Sequence, residues 1–136
     1  MKLKPKGLLL EDNVFYREYI TGILNELNYE VLAYSDPTRY RTCHPAQECR
    51  KSTPCVDVIV TDNLMPNMTG LDYLESIKRT NCKVPDTHKV LISGSLGDEE
   101  LAKVERLGCQ YFLKLFDLLE FSSWLEDKAE LQVDCH

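Results

Sequence analysis

The stretch 58–71 constrains this chain most. Its β-branched run Val58-Ile59-Val60-Thr61 delivers one carboxylate, Asp62, to the point where Pro66 and Gly70 break the chain. A second apolar run, Leu8-Leu9-Leu10, ends the same way in Glu11-Asp12. Two buried strands that end in acids at the same edge of a parallel sheet bring Glu11, Asp12 and Asp62 to one point. Open α/β sheets bind their ligands there, outside the carboxyl ends of the strands. Such oxygen donors suit a hard divalent cation and leave a carboxylate to spare for other chemistry.

The rest of the chain alternates in the same rhythm. Residues 8–10 form a short first strand, and Asp12 or Asn13 caps a helix on which Phe15, Tyr19, Ile23 and Leu27 recur at four-residue spacing. Residues 30–34 make a second strand. Asp36-Pro37 opens a second helix, because proline suits the first helical position. The third strand spans 56–61, and a helix carrying Leu71, Leu74 and Ile77 follows it. Next come a strand at 90–93 and a helix at 98–107 closed by Gly108. Residues 111–114 form the fifth strand, and Asp117 with Glu120 caps a last helix bearing Leu118, Phe121 and Leu125. This alternation predicts a doubly wound α/β fold, a five-stranded parallel sheet covered by five helices. The segment 40–54, with Cys43, His44, Pro45, Cys49 and Pro54, breaks the rhythm and reads as a long irregular exit from the second helix.

At 136 residues the chain reads as one domain over 1–136. Its 16 basic residues are dispersed among 22 acidic ones, for a net charge of −6, which argues against direct nucleic-acid binding through phosphates. Lys2, Lys4 and Lys6 resemble the start of a signal peptide, but Leu8 to Leu10 are too few before Glu11 to continue one. No stretch is long enough for membrane insertion, so a soluble, cytoplasmic protein is expected. The six cysteines are then expected mostly as reduced thiols, metal ligands or redox groups rather than a disulfide framework.

Glu11-Asp12 after the first strand, Asp62 followed by Met65-Pro66-Asn67-Met68 and Gly70-Leu71, Ser93-Gly94 after the fourth strand, and Lys114 after the fifth resemble a response-regulator receiver domain. The likeness is to the stand-alone, chemotaxis-receiver type, covers about residues 7–130 and includes no output domain. It implies a flavodoxin-like sheet of order 2-1-3-4-5. It also implies a phosphoacceptor of a two-component or phosphorelay system, in which Asp62 takes a phosphoryl group from a sensor histidine kinase or a histidine phosphotransfer protein. Mg²⁺ or Mn²⁺ would be held by Glu11, Asp12, Asp62 and the backbone carbonyl of Leu64. Lys114 and the Ser93 hydroxyl would meet phosphoryl oxygens, and Tyr111 would occupy the aromatic switch position. The face of the fourth helix, fifth strand and fifth helix would then signal to an unknown downstream protein. Such a domain phosphorylates and dephosphorylates itself and is not a separate enzyme.

Taken singly, each of these residues has a plainer role. Glu11-Asp12 can cap a helix, Asp62 can form an Asx-turn, Ser93 can be a loop hydroxyl and Lys114 a solvated charge. Their joint order in one alternating chain is what selects the phosphate site. Three rival readings are an interaction module that keeps only the fold, a haloacid-dehalogenase-like phosphatase, and a redox or metal sensor on a receiver scaffold. The phosphatase family needs a second Asp two residues after the first, where this chain has Leu64.

Leu115 stands where the family usually has proline, so a trans bond is expected between Lys114 and Leu115, the cis form costing about 3 kcal/mol. Cys55, Cys82 and Cys109 each precede a strand, which puts a possible thiol cluster on the sheet edge opposite Asp62. No Cys-x-x-Cys knuckle is present. Neither a structural disulfide nor stoichiometric zinc is expected.

Overall fold

In the computed structural model, residues 3–40, 48–114 and 118–131 are described. Five parallel strands, β1 (Lys6–Leu10), β2 (Glu30–Tyr34), β3 (Val58–Asp62), β4 (Lys89–Ser93) and β5 (Gln110–Leu113), form one sheet of order β2-β1-β3-β4-β5. Among the described residues the α-helices are α1 (Val14–Glu26), α2 (Gly70–Arg79), α3 (Asp98–Leu107) and α4 (Leu118–Glu130).

Alternation along the strands divides the core in two, as a pleated sheet covered on both faces requires. Leu8, Leu10, Ile59 and Leu91 point to one side and pack with Leu71, Leu74 and Ile77 of α2 and Val104 and Leu107 of α3. Leu9, Val58, Val60, Val90, Ile92 and Phe112 point to the other and meet Ile20 and Leu24 of α1 and Phe121 and Leu125 of α4. The hydroxyl of Tyr29, just before β2, donates to the Leu125 carbonyl at 2.6 Å and ties α4 to the start of the sheet. Register fixes the functional edge. Leu10 pairs with Thr61, and Asp62 with Ile92, so Glu11, Asp62 and Ser93 all fall where strands end.

Four α-helices stand among the described residues where the sequence predicts five. Asp36 does cap a turn, accepting from the Thr38 N–H at 2.8 Å, but the turn is a single 3-10 stretch, Pro37–Arg39. Tyr40 ends it in an extended conformation, its ring buried beside Tyr34 at 5.3 Å between centroids. Residues 41–47, with Cys43 and His44, lie outside the described residues, as do Asp117 and the Lys114–Leu115 peptide bond, since Leu115 is not described. The apolar stripe expected on α1 also shifts. Phe15 is 83% exposed and Tyr19 49%, and the buried positions are Ile20 and Leu24. Strict four-residue steps drift around a helix of 3.6 residues per turn, so Phe15 has rotated off the face that Ile20 and Leu24 define. No helix among the described residues is long and apolar enough to cross a membrane.

Candidate functional site

Three loops converge at the carboxyl edge of the sheet. The first carries Glu11 and Asp12 and is held in shape by α1. Asn13 caps that helix by accepting from the Tyr16 N–H at 3.1 Å, and Arg17 Nη1 donates to the Glu11 carbonyl at 2.9 Å. The second follows Asp62. The Asn63 N–H donates to Asp62 Oδ1 at 2.7 Å, and the Asn63 side chain accepts from the Leu71 N–H at 3.2 Å. Gly70 is required here, because a Cβ at that position would run into the carbonyl oxygen of Asp62. Asn67 takes a left-handed backbone (φ 73°), and its side-chain amide donates to Asp36 at 3.3 Å. The third loop brings Lys114, whose N–H donates to the Ser93 carbonyl at 3.0 Å.

The side chains meet closely. Lys114 Nζ lies 2.8 Å from Glu11 Oε1 and 3.1 Å from Asp62 Oδ2. Glu11 and Asp62 are buried and Asp12 is exposed, yet carboxylate oxygens of all three lie within 4.8 Å of one another. Burial, and then the Asp62 carboxylate beside it, push the Glu11 carboxyl up to about 7 against the pull of Lys114. Burial works against the Lys114 ammonium, but its bonds to Glu11 and Asp62 outweigh this and raise its pKa. Glu11 Oε1 is buried, and the group that meets it is the Lys114 ammonium at 2.8 Å. Three hard oxygen donors gathered this closely fit a small divalent cation such as Mg²⁺. Among the described residues this is the group of acids and thiols spaced to hold a metal.

Ser93 is buried and its hydroxyl donates to the Ser95 carbonyl at 3.0 Å. The Tyr111 hydroxyl reaches the Ser93 carbonyl at 3.4 Å, and its ring packs half-buried against the α2–α3 side of the core. Leu64 is 72% exposed at the lip of the site. The thiols lie elsewhere. Cys55, Cys82 and Cys109 pack half-buried against that same apolar side, in the segments of chain that lead into β3, β4 and β5. Burial pushes the Cys109 thiol up to about 11, away from the thiolate form.

Three residues take a part in the site that the sequence reading does not assign to them. Asn63 is buried and uses both ends of its amide, its Nδ2 donating to Glu100 Oε2 of α3 at 3.1 Å. Asp36 was legible as a cap, but its bond to Asn67 joins segments distant in sequence. Tyr16 lies under Lys114, with Nζ 4.4 Å from the ring centroid. Only the position of Tyr16 on the first turn after the acids hinted at this.

The sequence pattern of the response regulator receiver domain matches residues 8–121. The chain is 31% identical over 105 residues to the chemotaxis protein CheY of Treponema pallidum, covering 74% of this chain and 67% of that protein. It is 29% identical over 109 residues to the two-component response regulator ORR11 of Oryza sativa, covering 80% and 69%. Among solved structures, the non-phosphorylated HemR receiver domain from Leptospira biflexa superposes with a TM-score of 0.73 at 25% identity, over 95% of this chain and 97% of that one. The receiver domain of the sensor histidine kinase PA1611 from Pseudomonas aeruginosa, solved with a magnesium ion in its active-site cleft, gives 0.72 at 21%, over 94% and 99%, and shares the fold.

Proposed function

The chain belongs to the response regulator receiver domain family, and from that premise we propose that it is a phosphoacceptor whose nucleophile is Asp62 Oδ2. One observation carries the reading. Asp62 Oδ1 is occupied by the Asn63 N–H at 2.7 Å, while Oδ2 faces Lys114 at 3.1 Å, so one oxygen is tethered and the other is poised beside a cation. The donor is the phosphohistidine of a sensor histidine kinase or a histidine phosphotransfer protein. Oδ2 forms the new bond to phosphorus as the P–N bond breaks, and its electron pair stays on the leaving imidazole nitrogen.

Such transfer needs positioning and charge stabilisation more than covalent help. Glu11, Asp12, Asp62 and the Leu64 carbonyl would hold Mg²⁺, or Mn²⁺, which supplies neutralisation of phosphoryl charge when bound. Lys114 takes a phosphoryl oxygen as a compact point charge. The Ser93 hydroxyl exchanges its bond to Ser95 for another phosphoryl oxygen. Tyr111, hydrogen-bonded to the Ser93 carbonyl, carries that movement into β5 and the face it forms with α3 and α4, where a downstream protein binds. The domain acts as an acceptor rather than a separate catalyst, in the cytoplasm.

Phosphoramidate or acetyl phosphate with Mg²⁺ tests this directly. Intact-mass measurement is expected to show one added phosphoryl group, none in Asp62→Ala, and none in the parent with EDTA. Equal labelling of Asp62→Ala and the parent overturns the assignment.

A further inference from the structure

Lys114 has a third neighbour besides its two acids. Its ammonium sits over the face of Tyr16, 4.4 Å from the ring centroid, while holding Glu11 at 2.8 Å and Asp62 at 3.1 Å. Tyr16 is well placed to keep that contact. Its N–H is bonded to the Asn13 cap, and Arg17, the next residue, is bonded to the Glu11 carbonyl. The ring is therefore fixed to the same loop that presents the acids, and it is half-buried. An aromatic face attracts an ammonium through its quadrupole, more strongly where water is partly excluded.

Resting on the phosphoacceptor reading, we propose that Tyr16 is a positioning residue for Lys114, its ring holding the ammonium over Asp62 Oδ2 as the phosphoryl group arrives. The physical need is specific. A lysine head on a four-carbon stem is a mobile point charge, unlike a forked guanidinium that fixes its own geometry. Once Oδ2 is bonded to phosphorus, the negative charge lies further out on the phosphoryl oxygens. Another carboxylate beside Lys114 would compete with those oxygens for the cation. A neutral ring restrains the cation without adding negative charge to a site that already holds Glu11, Asp12 and Asp62. The attraction belongs to the ring face, so the phenol hydroxyl is dispensable.

The test measures initial rates of Mg²⁺-dependent labelling by phosphoramidate, in which Oδ2–P forms and ammonia leaves with the P–N electron pair. Tyr16→Leu is expected to lower the rate about fivefold, the scale of a partly buried cation–π contact. Tyr16→Phe is expected to recover most of that loss. Pentafluorophenylalanine at position 16, with the same shape and an inverted quadrupole, is expected to behave like Tyr16→Leu, which separates the effect from any loss of packing. In a Lys114→Met background, Tyr16→Leu is expected to change nothing further. Parent-like rates in both the leucine and the pentafluorophenylalanine proteins overturn the proposal, as does an undiminished effect of Tyr16→Leu without Lys114. Failure of the parent to label at all, or labelling of Asp62→Ala, strikes instead at the phosphoacceptor reading.

Discussion

Glu100 Oε2 accepts from Asn63 Nδ2 at 3.1 Å, so the residue next to Asp62 is bonded to the first turn of α3. The other oxygen of the same carboxylate accepts from the Gly97 N–H at 3.0 Å, and one side chain thereby caps α3 and ties it to the Asp62 loop. Glu100→Ala removes both bonds and leaves a buried amide without its acceptor, at an expected cost of about 1–3 kcal/mol. Glu100→Gln keeps one acceptor and should cost less. Urea melts measure both, and amide exchange at Gly97 should quicken in the alanine protein.

Gly70→Ala tests the backbone contact behind Asp62. The added methyl meets the Asp62 carbonyl, and the Leu91 side chain at 2.8 Å, so both β3 and α2 would have to move. Overpacking of this kind costs about 1–3 kcal/mol. Thermal unfolding should shift down, and labelling at Asp62 should fall with it, because the carboxylate is displaced from Lys114.

His88 predicts a pH effect far from the acids. It is buried, its Nδ1 lies 2.9 Å from the Asp57 carbonyl, and Lys128 repels its charge; burial first, then Lys128, hold its pKa below the usual value despite the pull of Asp57. The folded state therefore binds fewer protons at this group than the unfolded chain. Its contribution to stability is complete above the unfolded value of about 6.5 and is lost as pH falls from there through the folded value. Urea melts from pH 8 downward should show this loss in the parent, and His88→Gln, which cannot titrate, should show a smaller decline over the same interval.

The clustered carboxylates of Glu11, Asp12 and Asp62 predict a thermal response to cations. Mg²⁺ that binds only the folded chain raises its melting temperature by mass action. Scanning calorimetry should show a rise in the parent that EDTA reverses, and a much smaller rise in Glu11→Gln and Asp12→Asn.

Much of this was legible in the sequence because it is written in local patterns. The apolar runs Leu8-Leu9-Leu10 and Val58-Ile59-Val60 place both strands, and the acids that follow them fall at one edge once the strands run parallel. The helix at Asp98–Leu107 and its Gly108 stop came out as expected because the cap chemistry lies within a few residues, Gly108 adopting the left-handed conformation (φ 74°). Contacts between distant segments left no such trace. Asn63 to Glu100, Asn67 to Asp36 and Lys114 to Tyr16 each join residues that no periodicity relates. The second helix was overread for a similar reason: Asp36-Pro37 is a sound start, but the capture of Tyr40 in the core, which ends the turn, is a tertiary event.

Asp62 stands at the seam of the two core layers. Through Lys114 it touches Tyr16 of the layer that contains α1 and α4, and through Asn63 it touches Glu100 of the layer that contains α2 and α3. Under the proposed function, a chemical change at Asp62 would reach both sides of the sheet. Linkage requires the converse for equilibrium binding. A protein that prefers one arrangement of α3 must alter the affinity of the acids for their cation by the same factor that the cation alters its own binding. On that reading, an occupied partner surface and a filled acidic cleft would be two readouts of one free energy, and titrating either in the presence of the other would measure it.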